Sequence, residues 1–183
     1  MSETKVFVFS GASGAGKSTV LKRIMSERDD LRFSVSATTR APREGEVDGV
    51  HYFFVTRERF QEMIAGGELL EYDEHFGNLY GTPVSQVSCG GRVVLDVEPN
   101  GAFNARKANP DAKLIFITPP SMEELERRLR SRGDTPEDQI DSRLERAKWE
   151  IAQSVHYDYV VINDDLDHCV KQVADILDYE INR

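Results

Sequence analysis

Four short apolar runs stand out in the pattern of hydrophobic and polar positions along the chain. They cover residues 5–9, 92–96, 113–117 and 159–162. Hydrophobic residues follow one another in these runs without polar alternation, which is typical of parallel strands that are covered on both faces. Between the runs, apolar residues return at helical spacing, as Val20, Leu21 and Ile24 do after the first run. This alternation predicts an α/β fold, a three-layer parallel sheet with helices on both sides.

Two further helices are predicted from the residues at which they begin. Ser121 and Glu124 have the spacing of a capping box, in which the two side chains satisfy backbone N–H groups of the first helical turn. Thr135 is the expected N-cap of the next helix, with Pro136 at its first position. That helix is expected to bury Ile140, Leu144, Ala147 and Ile151.

Residues 33–82 depart from the alternation of apolar strands and helices. The segments FSVSATTR, HYFFV and ELLEYDEHFGNLYGT are rich in β-branched, aromatic and polar residues, and a short helix is predicted over residues 57–65. This composition indicates a small mixed sheet inserted between the first helix and the next core strand. We therefore expect a single domain, residues 1–183, with a core of residues 1–32 and 83–183 and an insert of residues 33–82.

Composition fits one domain with a sizeable core, since 39% of the 183 residues are hydrophobic and 30% are charged. The net charge of −9 argues against a general affinity for nucleic-acid backbones. No apolar stretch approaches the length of a membrane span, and the N-terminus has no signal-peptide pattern. Cys89 and Cys169 are too few and too far apart for a metal site, so both thiols are expected to be free. We expect a cytoplasmic protein with small-molecule substrates, no nucleic-acid or membrane partner and no obligate protein partner.

The stretch GASGAGKST, residues 11–19, joins the first predicted strand to the first predicted helix. Its spacing is G-x-x-x-x-G-K-S, and a loop so rich in glycine turns its backbone N–H groups inward to cradle phosphates. Lys17 then reaches the β- and γ-phosphates, and the Ser18 hydroxyl binds Mg²⁺. The sequence therefore predicts a P-loop site for a nucleoside triphosphate with Mg²⁺. The predicted contacts are Gly11, Ala12, Ser13, Gly14, Ala15, Gly16, Lys17, Ser18 and Thr19.

A cluster of polar residues in the insert forms a second candidate site. Arg40 and Arg43 lie three residues apart beside Ser36, with Tyr52 and Tyr80 on neighbouring elements. Two guanidinium groups on a short turn bind one phosphate through bidentate hydrogen bonds, and tyrosine hydroxyls add neutral donors. The alternative is a charged turn that only contacts solvent.

Three runs in and after this cluster resemble the guanylate kinase family: S-x-T-T-R-x-P-R-x-G-E-x-D-G-x-x-Y-x-F, G-x-x-L-E and F-G-N-x-Y-G-T. The resemblance extends from the phosphate loop to VINDD near the C-terminus. Members of this family transfer the γ-phosphoryl group of ATP to GMP and release ADP and GDP. The resemblance implies a P-loop NTPase-type core, a GMP-binding lobe in the insert and a helical lid over about residues 130–146. It also implies dGMP as a second acceptor.

The resemblance further implies which residues bind GMP. The base is expected to face Ser36, Glu71 and Thr82, and the phosphate to contact Arg40, Arg43, Tyr52 and Tyr80. The chemistry of the base favours Glu71 independently, because guanine presents N1–H and the N2 amino group side by side, whereas adenine has no N1–H. The alternative for Glu71 is an ordinary charged residue on a strand. Glu98 stands where the family has an aspartate, so its implied contact with guanine comes from a carboxylate one methylene farther from the backbone.

The remaining implied residues belong to the donor side of the reaction. Asp96 ends an apolar strand, where a carboxylate supports Mg²⁺ directly or through water, although a strand-end cap is the alternative. Arg132 and Arg143 match the arginines of the family's lid and are implied as catalytic residues together with Lys17. Phosphoryl transfer depends on positioning and charge neutralisation, which these three cations would supply. Asn163 in VINDD matches the family's adenine-side loop.

Two features near these residues are assigned no part in the reaction. Arg130 and Arg146 are expected to form salt bridges on the outer helix face. The connection PVSQVSCGG, residues 83–91, is shorter than in relatives of the family, which predicts an abbreviated helix there.

Two other functions stay open at this point. One is a guanylate kinase-like module that binds a protein partner without turnover. Such modules usually lack a working phosphate loop, whereas this chain has Gly16, Lys17 and Ser18. The other is a related small-molecule kinase that acts on a different phosphate monoester, and the implied base-reading residues argue against it.

Overall fold

The computed structural model describes residues 4–75, 77–132 and 136–183, apart from the side chain of Arg132. Within these residues nine strands and seven α-helices follow one another. The strands are β1 (Lys5–Gly11), β2 (Leu31–Phe33), β3 (Ala37–Thr38), β4 (Phe53–Phe54), β5 (Leu69–His75), β6 (Asn78–Pro83), β7 (Arg92–Asp96), β8 (Lys113–Thr118) and β9 (Tyr159–Ile162). The helices are α1 (Lys17–Glu27), α2 (Arg57–Ala65), α3 (Val84–Val87), α4 (Pro99–Ala108), α5 (Met122–Arg132), α6 (Glu137–Ala152) and α7 (Leu166–Asn182).

The strands form two sheets. A parallel sheet of five strands has the order β2-β7-β1-β8-β9. A mixed sheet of four strands has the order β4-β3-β6-β5, in which β3 pairs in parallel with β4 and antiparallel with β6, and β5 pairs antiparallel with β6. The prediction of an α/β fold with a parallel sheet and a smaller mixed sheet is confirmed.

The apolar runs of the sequence correspond to β1, β7, β8 and β9. β7 and β9 have the predicted bounds, whereas β1 and β8 continue to Gly11 and Thr118. α2 also has its predicted bounds, and the four residues of α3 confirm the abbreviated helix. β2 has no predicted counterpart, because three residues with Arg32 at their centre show no apolar run. Parallel pairing with β7 makes this segment a strand.

The helix starts follow the predicted chemistry only in part. The Ser121 hydroxyl accepts the N–H of Glu124 at 3.1 Å, which is one half of the capping box, while the Glu124 carboxylate binds two arginines of α5 instead. Pro136 has an extended ψ of 142° and precedes α6, so its prediction as the first helical residue is wrong by one position. Thr135 lies outside the described residues. The apolar face of α6 is as expected, with Ile140 and Ala147 buried and Leu144 and Ile151 packed against the same cluster.

The chain divides into two compact units, each with its own core. The first contains the residues up to Val8 together with Asp30–Lys113. In this unit Ala37, Phe60, Met63 and Leu79 join α2 to β3 and β6. The second contains Phe9–Asp29 and Leu114–Arg183. Its cluster of Ala12, Ala15, Leu125, Leu129, Ile140 and Ala147 packs the loop after β1 against α5 and α6.

Both cysteines are free as expected, Cys169 buried in α7 and Cys89 exposed after α3. No helix in the described ranges combines the length and apolar character that a membrane crossing needs.

Phe60 is fully buried in the core of the first unit, so we expect Phe60→Ala to lower the free energy of unfolding by about 3–5 kcal/mol. The loss combines the removed apolar surface with the cavity left behind. Urea denaturation measures it. Phe33→Ala is the matched control, because Phe33 is 39% exposed, and its effect should be well below that of Phe60→Ala. Equal losses for the two variants would contradict the assignment of Phe60 to the core.

Candidate active site

The glycine-rich loop runs from the end of β1 to the first turn of α1, and its first residue lies against β8. The N–H of Ala12 donates to the carbonyl oxygen of Ile117 at 3.3 Å. A Cβ atom at Gly11 would lie 2.5 Å from that same oxygen. Only glycine therefore lets the loop leave the sheet at this point.

The other end of the loop forms the N-terminus of α1. Gly16 is the N-cap residue, with a positive φ of 90° and no capping side chain. Lys17 and Ser18 are the first helical residues, Lys17 half-buried and Ser18 exposed. A helix N-terminus without a capping side chain attracts anions through its backbone N–H groups and the helix dipole. The predicted phosphate-binding residues thus lie in one loop that leads to a helix N-terminus.

Asn163 lies directly against this loop. Its side-chain Nδ2 donates to the carbonyl oxygen of Ala15 at 2.7 Å, and its backbone N–H donates to the carbonyl oxygen of Thr118 at 2.8 Å. Asn163 is buried, and a Cβ atom at Gly16 would collide with its amide. The adenine-side role implied for Asn163 stays a prediction, and its observed partner is the backbone of the phosphate loop.

Two residues that the sequence analysis did not single out also contact this part of the site. Arg128 of α5 donates to the carbonyl oxygen of Asn163 at 2.9 Å and to Glu124 at 2.7 Å. Hydrogen bonds from Arg127 and Arg128 lower the pKa of Glu124 to about 2. Glu150 of α6 accepts the backbone N–H of Ser13 at 2.9 Å. The spacing of Glu124 and Arg128, four residues apart on one helix, is a signal that could have indicated the first of these contacts.

The arginines of the predicted lid lie on α5 and α6. Arg143 is half-buried on α6, and Arg132 ends α5 with its side chain outside the described part of the chain. Arg130 forms the expected salt bridges, with Glu126 and Glu137. Arg146 is also paired, but its partner is the buried Glu150 at 2.8 Å, so this salt bridge is not confined to the outer helix face as expected.

In the first unit, Glu71 and Thr82 are direct partners across the β5–β6 ladder. The Thr82 hydroxyl donates to Oε1 of Glu71 at 2.6 Å, and both side chains are buried. Ser36 immediately precedes β3, whose pairing with β6 would set Ser36 opposite Thr82 if the register continued by one residue. Glu71 and Thr82 therefore lie on adjacent strands of the mixed sheet, and Ser36 immediately precedes the next strand of that sheet.

The electrostatic state of Glu71 is unusual for a glutamate. Burial raises its pKa to about 7, against the hydrogen bonds from Thr82, which favour the ionised form and lower the pKa. The carboxylate also has a close neighbour on α4 that the sequence analysis missed. A Cβ atom at Gly101 would lie 2.8 Å from Oε2 of Glu71, so the absence of a side chain at Gly101 leaves room for the carboxylate.

The arginine and tyrosine cluster is assembled around Glu46. Arg40 binds both carboxylate oxygens of Glu46, at 2.8 and 2.9 Å, and the backbone N–H of Arg43 donates to Glu46 at 2.7 Å. The guanidinium of Arg40 lies 5.4 Å from the ring centroid of Tyr52, which contacts Tyr80 edge to face at 6.1 Å. The hydrogen bonds from Arg40 and Arg43 lower the pKa of Glu46 to about 2. Arg40, Tyr52 and Tyr80 are therefore brought together, while the side chain of Arg43 is exposed.

Glu46 is a residue of this cluster that the sequence analysis missed. Its pairing with Arg40 could have been predicted from its negative charge and from its position six residues after Arg40, with Pro42 and Gly45 in the turn between them.

Asp96 and Glu98 lie where β7 ends and α4 begins. Asp96 is the last residue of β7, and Glu98 is the N-cap of α4, although its side chain makes no capping hydrogen bond. Both are half-buried. Among the residues that the structure describes, no group of three or more histidine, cysteine or acidic residues could hold a metal ion.

The parallel sheet and the G-x-x-x-x-G-K-S loop between β1 and α1 define a P-loop nucleotide-binding protein. The family model of guanylate kinase matches residues 3–180, and the chain belongs to the guanylate kinase family. The guanylate kinase of Zymomonas mobilis is 49% identical over 180 residues, which cover 96% of this chain and 83% of that relative. The guanylate kinase of Synechococcus elongatus is 48% identical over 174 residues, covering 93% and 95% of the two chains. A crystal structure of guanylate kinase from Anaplasma phagocytophilum superposes with a TM-score of 0.79 at 35% identity, covering 98% of this chain and 87% of that one.

The hydrogen bond from Thr82 should keep the pKa of Glu71 from rising further. We expect Thr82→Val to raise this pKa above about 7, because the ionised carboxylate loses a donor while its burial is unchanged. Titration of the carboxyl carbon by NMR measures the shift. Thr82→Ser keeps the hydroxyl and should leave the pKa near that of the unaltered protein. A lower pKa in Thr82→Val would show that Thr82 does not stabilise the ionised form.

Proposed function

We propose that this chain transfers the γ-phosphoryl group of ATP to GMP, giving ADP and GDP, and that it also accepts dGMP. The observation that carries the proposal is the buried pair of Glu71 and Thr82, which lies in the same mixed sheet as Tyr80. Arg40 follows β3 of this sheet and contacts Tyr52, which precedes β4 and contacts Tyr80. One part of this arrangement suits a base and the other suits a phosphate, as a nucleoside monophosphate requires.

Base recognition is assigned to Glu71, Thr82 and Ser36. An ionised Glu71 accepts N1–H and the N2 amino group of guanine, two donors on the same edge of the ring. Ser36 and Thr82 donate to the guanine O6. Adenine places an unprotonated N1 opposite the carboxylate and is therefore rejected. A contact from Glu98 is proposed as an addition to this set.

The phosphate of GMP is assigned to Arg40, Arg43, Tyr52 and Tyr80. Glu46 holds two nitrogen atoms of Arg40 in place, which orients the guanidinium before the substrate arrives. A guanidinium has five N–H donors, so a phosphate still finds donors on an arginine that is paired in this way. Preorganisation of this kind lowers the entropy cost of binding.

The phosphate loop and the N-terminus of α1 bind the phosphates of ATP, and Lys17 contacts the transferred group. Asn163 is assigned to the adenine side. Ser18 and Asp96 would supply hard oxygen ligands of the kind that Mg²⁺ prefers. When bound, Mg²⁺ would neutralise charge on the phosphates of ATP.

In the reaction, an oxygen of the GMP phosphate attacks the γ-phosphorus while the bond to the β-phosphate oxygen breaks, and ADP keeps that electron pair. The attacking oxygen already carries negative charge at neutral pH, so no side chain has to remove a proton. Lys17, Arg132 and Arg143 are assigned to neutralise the charge on the phosphoryl group in transfer. Residues of about 130–146 act as the lid that brings the two arginines in.

The alternative of an inactive binding module is not supported, because the chain has the full G-x-x-x-x-G-K-S motif between β1 and α1. A kinase for another phosphate monoester is disfavoured by the buried carboxylate at position 71. The cytoplasmic location and the lack of an obligate partner stay predictions.

A coupled assay of ADP formation with GMP, dGMP, AMP, UMP and CMP as acceptors tests the function. We expect turnover with GMP and dGMP and little with the others. Lys17→Ala is the control for contaminating kinases, since it removes a cation that contacts the transferred group and should abolish nearly all turnover. Equal rates with all five acceptors, or an active Lys17→Ala variant, would overturn the proposal.

Glu71→Gln should change which base is accepted. The amide keeps the shape of the side chain but places an NH₂ donor against a guanine donor, and losing a charge-assisted hydrogen bond costs about 1.5–3 kcal/mol. We expect kcat/KM for GMP to fall by roughly one to three orders of magnitude, with a much smaller change for AMP. The decisive measurement is the ratio of GMP to AMP efficiency in both proteins. An unchanged ratio would mean that Glu71 does not read the base.

The pKa of Glu71 also predicts how GMP binding depends on pH. Only the ionised carboxylate accepts N1–H, and its fraction falls tenfold per unit below a pKa of about 7. We therefore expect KM for GMP to be lowest above pH 7 and to rise about tenfold by pH 6. Glu71→Gln is the control, because the ionisation of the GMP phosphate affects both proteins equally. If KM for GMP depended on pH in the same way in the unaltered protein and in Glu71→Gln, the assigned role of the carboxylate would be contradicted.

A further inference from the structure

We propose that Glu150 is a positioning residue for ATP, which acts from helix α6 by fixing the backbone of the phosphate loop. The inference rests on the proposed function, because it takes the loop to be the ATP site.

The contact joins segments that are far apart in the sequence. Oε2 of Glu150 accepts the N–H of Ser13 at 2.9 Å, across a separation of 137 residues. Oε1 of the same carboxylate accepts Nε of Arg146 at 2.8 Å. Glu150 is 1% exposed, and both hydrogen bonds are partly buried.

A glutamate is rarely buried to this extent unless its charge is compensated, since desolvation of a carboxylate costs several kcal/mol. Arg146 supplies the compensating charge, and its guanidinium lies 4.5 Å from the ring centroid of Trp149. The backbone N–H of Ser13 is a neutral donor, and its hydrogen bond to an ionised acceptor is stronger than one to a carbonyl group.

The contact with Ser13 has a counterpart on the other side of Gly14. The carbonyl oxygen of Ala15 accepts Nδ2 of Asn163 at 2.7 Å. Glu150 of α6 thus binds a backbone N–H group of the loop, and Asn163, the residue after β9, binds a backbone carbonyl oxygen of the loop. A glycine-rich segment loses much conformational entropy when a ligand orders it, and these two anchors fix the loop before ATP binds.

The position of Glu150 also predicts which substrate binds more weakly when its carboxylate is lost. It lies seven residues after Arg143, two turns along the same helix. Helix α6 therefore carries both an arginine assigned to the transferred group and the carboxylate that holds the loop. Loss of the carboxylate should weaken ATP binding and leave GMP binding unchanged. A carboxylate that served only the packing of α6 would lower stability without affecting one substrate more than the other.

Glu150→Gln is the informative variant, because it keeps the shape of the side chain. Whichever way the amide turns, its NH₂ group faces either the N–H of Ser13 or Nε of Arg146, and one donor loses its acceptor. We expect KM and the dissociation constant of ATP to rise about tenfold, with KM for GMP changed less than twofold. Glu180→Gln is the matched control: Glu180 is a buried glutamate of α7 that accepts the Tyr159 hydroxyl, remote in sequence from the phosphate loop. In Glu180→Gln, KM and the dissociation constant of ATP should stay within twofold of those of the unaltered protein, even if the substitution lowers thermal stability.

Hydrogen exchange of the Ser13 amide, followed by NMR in the nucleotide-free protein, also tests the contact. The measurement on the unaltered protein does not depend on whether Glu150→Gln folds. We expect slow exchange in the unaltered protein and at least tenfold faster exchange in Glu150→Gln. Exchange of Ser13 at the rate of an open loop in the unaltered protein would overturn the proposal, as would unchanged ATP constants in a folded Glu150→Gln variant. Failure of the unaltered protein to phosphorylate GMP would instead overturn the proposed function, and the exchange and ATP-binding measurements would still decide the role of Glu150.

Discussion

The phosphate loop depends on close approach of backbone to backbone. Where the loop leaves β1, Gly11 lies so near the carbonyl oxygen of Ile117 that no Cβ atom fits, and at its other end Gly16 adopts a positive φ beside Asn163. These contacts set the direction in which α1 begins and thereby the direction of its N-terminal N–H groups. The placement of Lys17 and Ser18 follows from that geometry, because both belong to the first turn of the helix.

Two of the buried carboxylates, Glu150 and Glu71, are stabilised against desolvation in different ways. Glu150 is compensated by a guanidinium and a backbone N–H group, and both hold it in one orientation. Glu71 has the neutral hydroxyl of Thr82 as its partner, so burial raises its pKa to about 7. The first arrangement suits a structural anchor. The second leaves a carboxylate whose charge is stabilised when a ligand brings the missing donors, as guanine does in the proposed reaction.

Much of the fold follows from local patterns in the sequence. The apolar runs predicted β7 and β9 with their observed bounds, because strands covered on both faces show no polar alternation. The spacing of Gly11, Gly16, Lys17 and Ser18 predicted the loop, since each of these residue types meets a local requirement of backbone form or charge. The resemblance to the guanylate kinase family, which the comparisons confirm, rested on motifs of the same local kind.

By itself the sequence determined four strands of the parallel sheet, the phosphate loop and the residue types available for binding a base and a phosphate. Only the tertiary structure decided which distant groups meet. The contact of Glu150 with Ser13, the room that Gly101 leaves for Glu71 and the pairing that makes β2 a strand each join segments well separated along the chain. Periodicity and spacing report what a residue does within its own helix or loop. They carry no information on which backbone N–H or carboxylate the packing of another segment places beside it, and that packing fixes the hydrogen bonds and the pKa values of the buried groups.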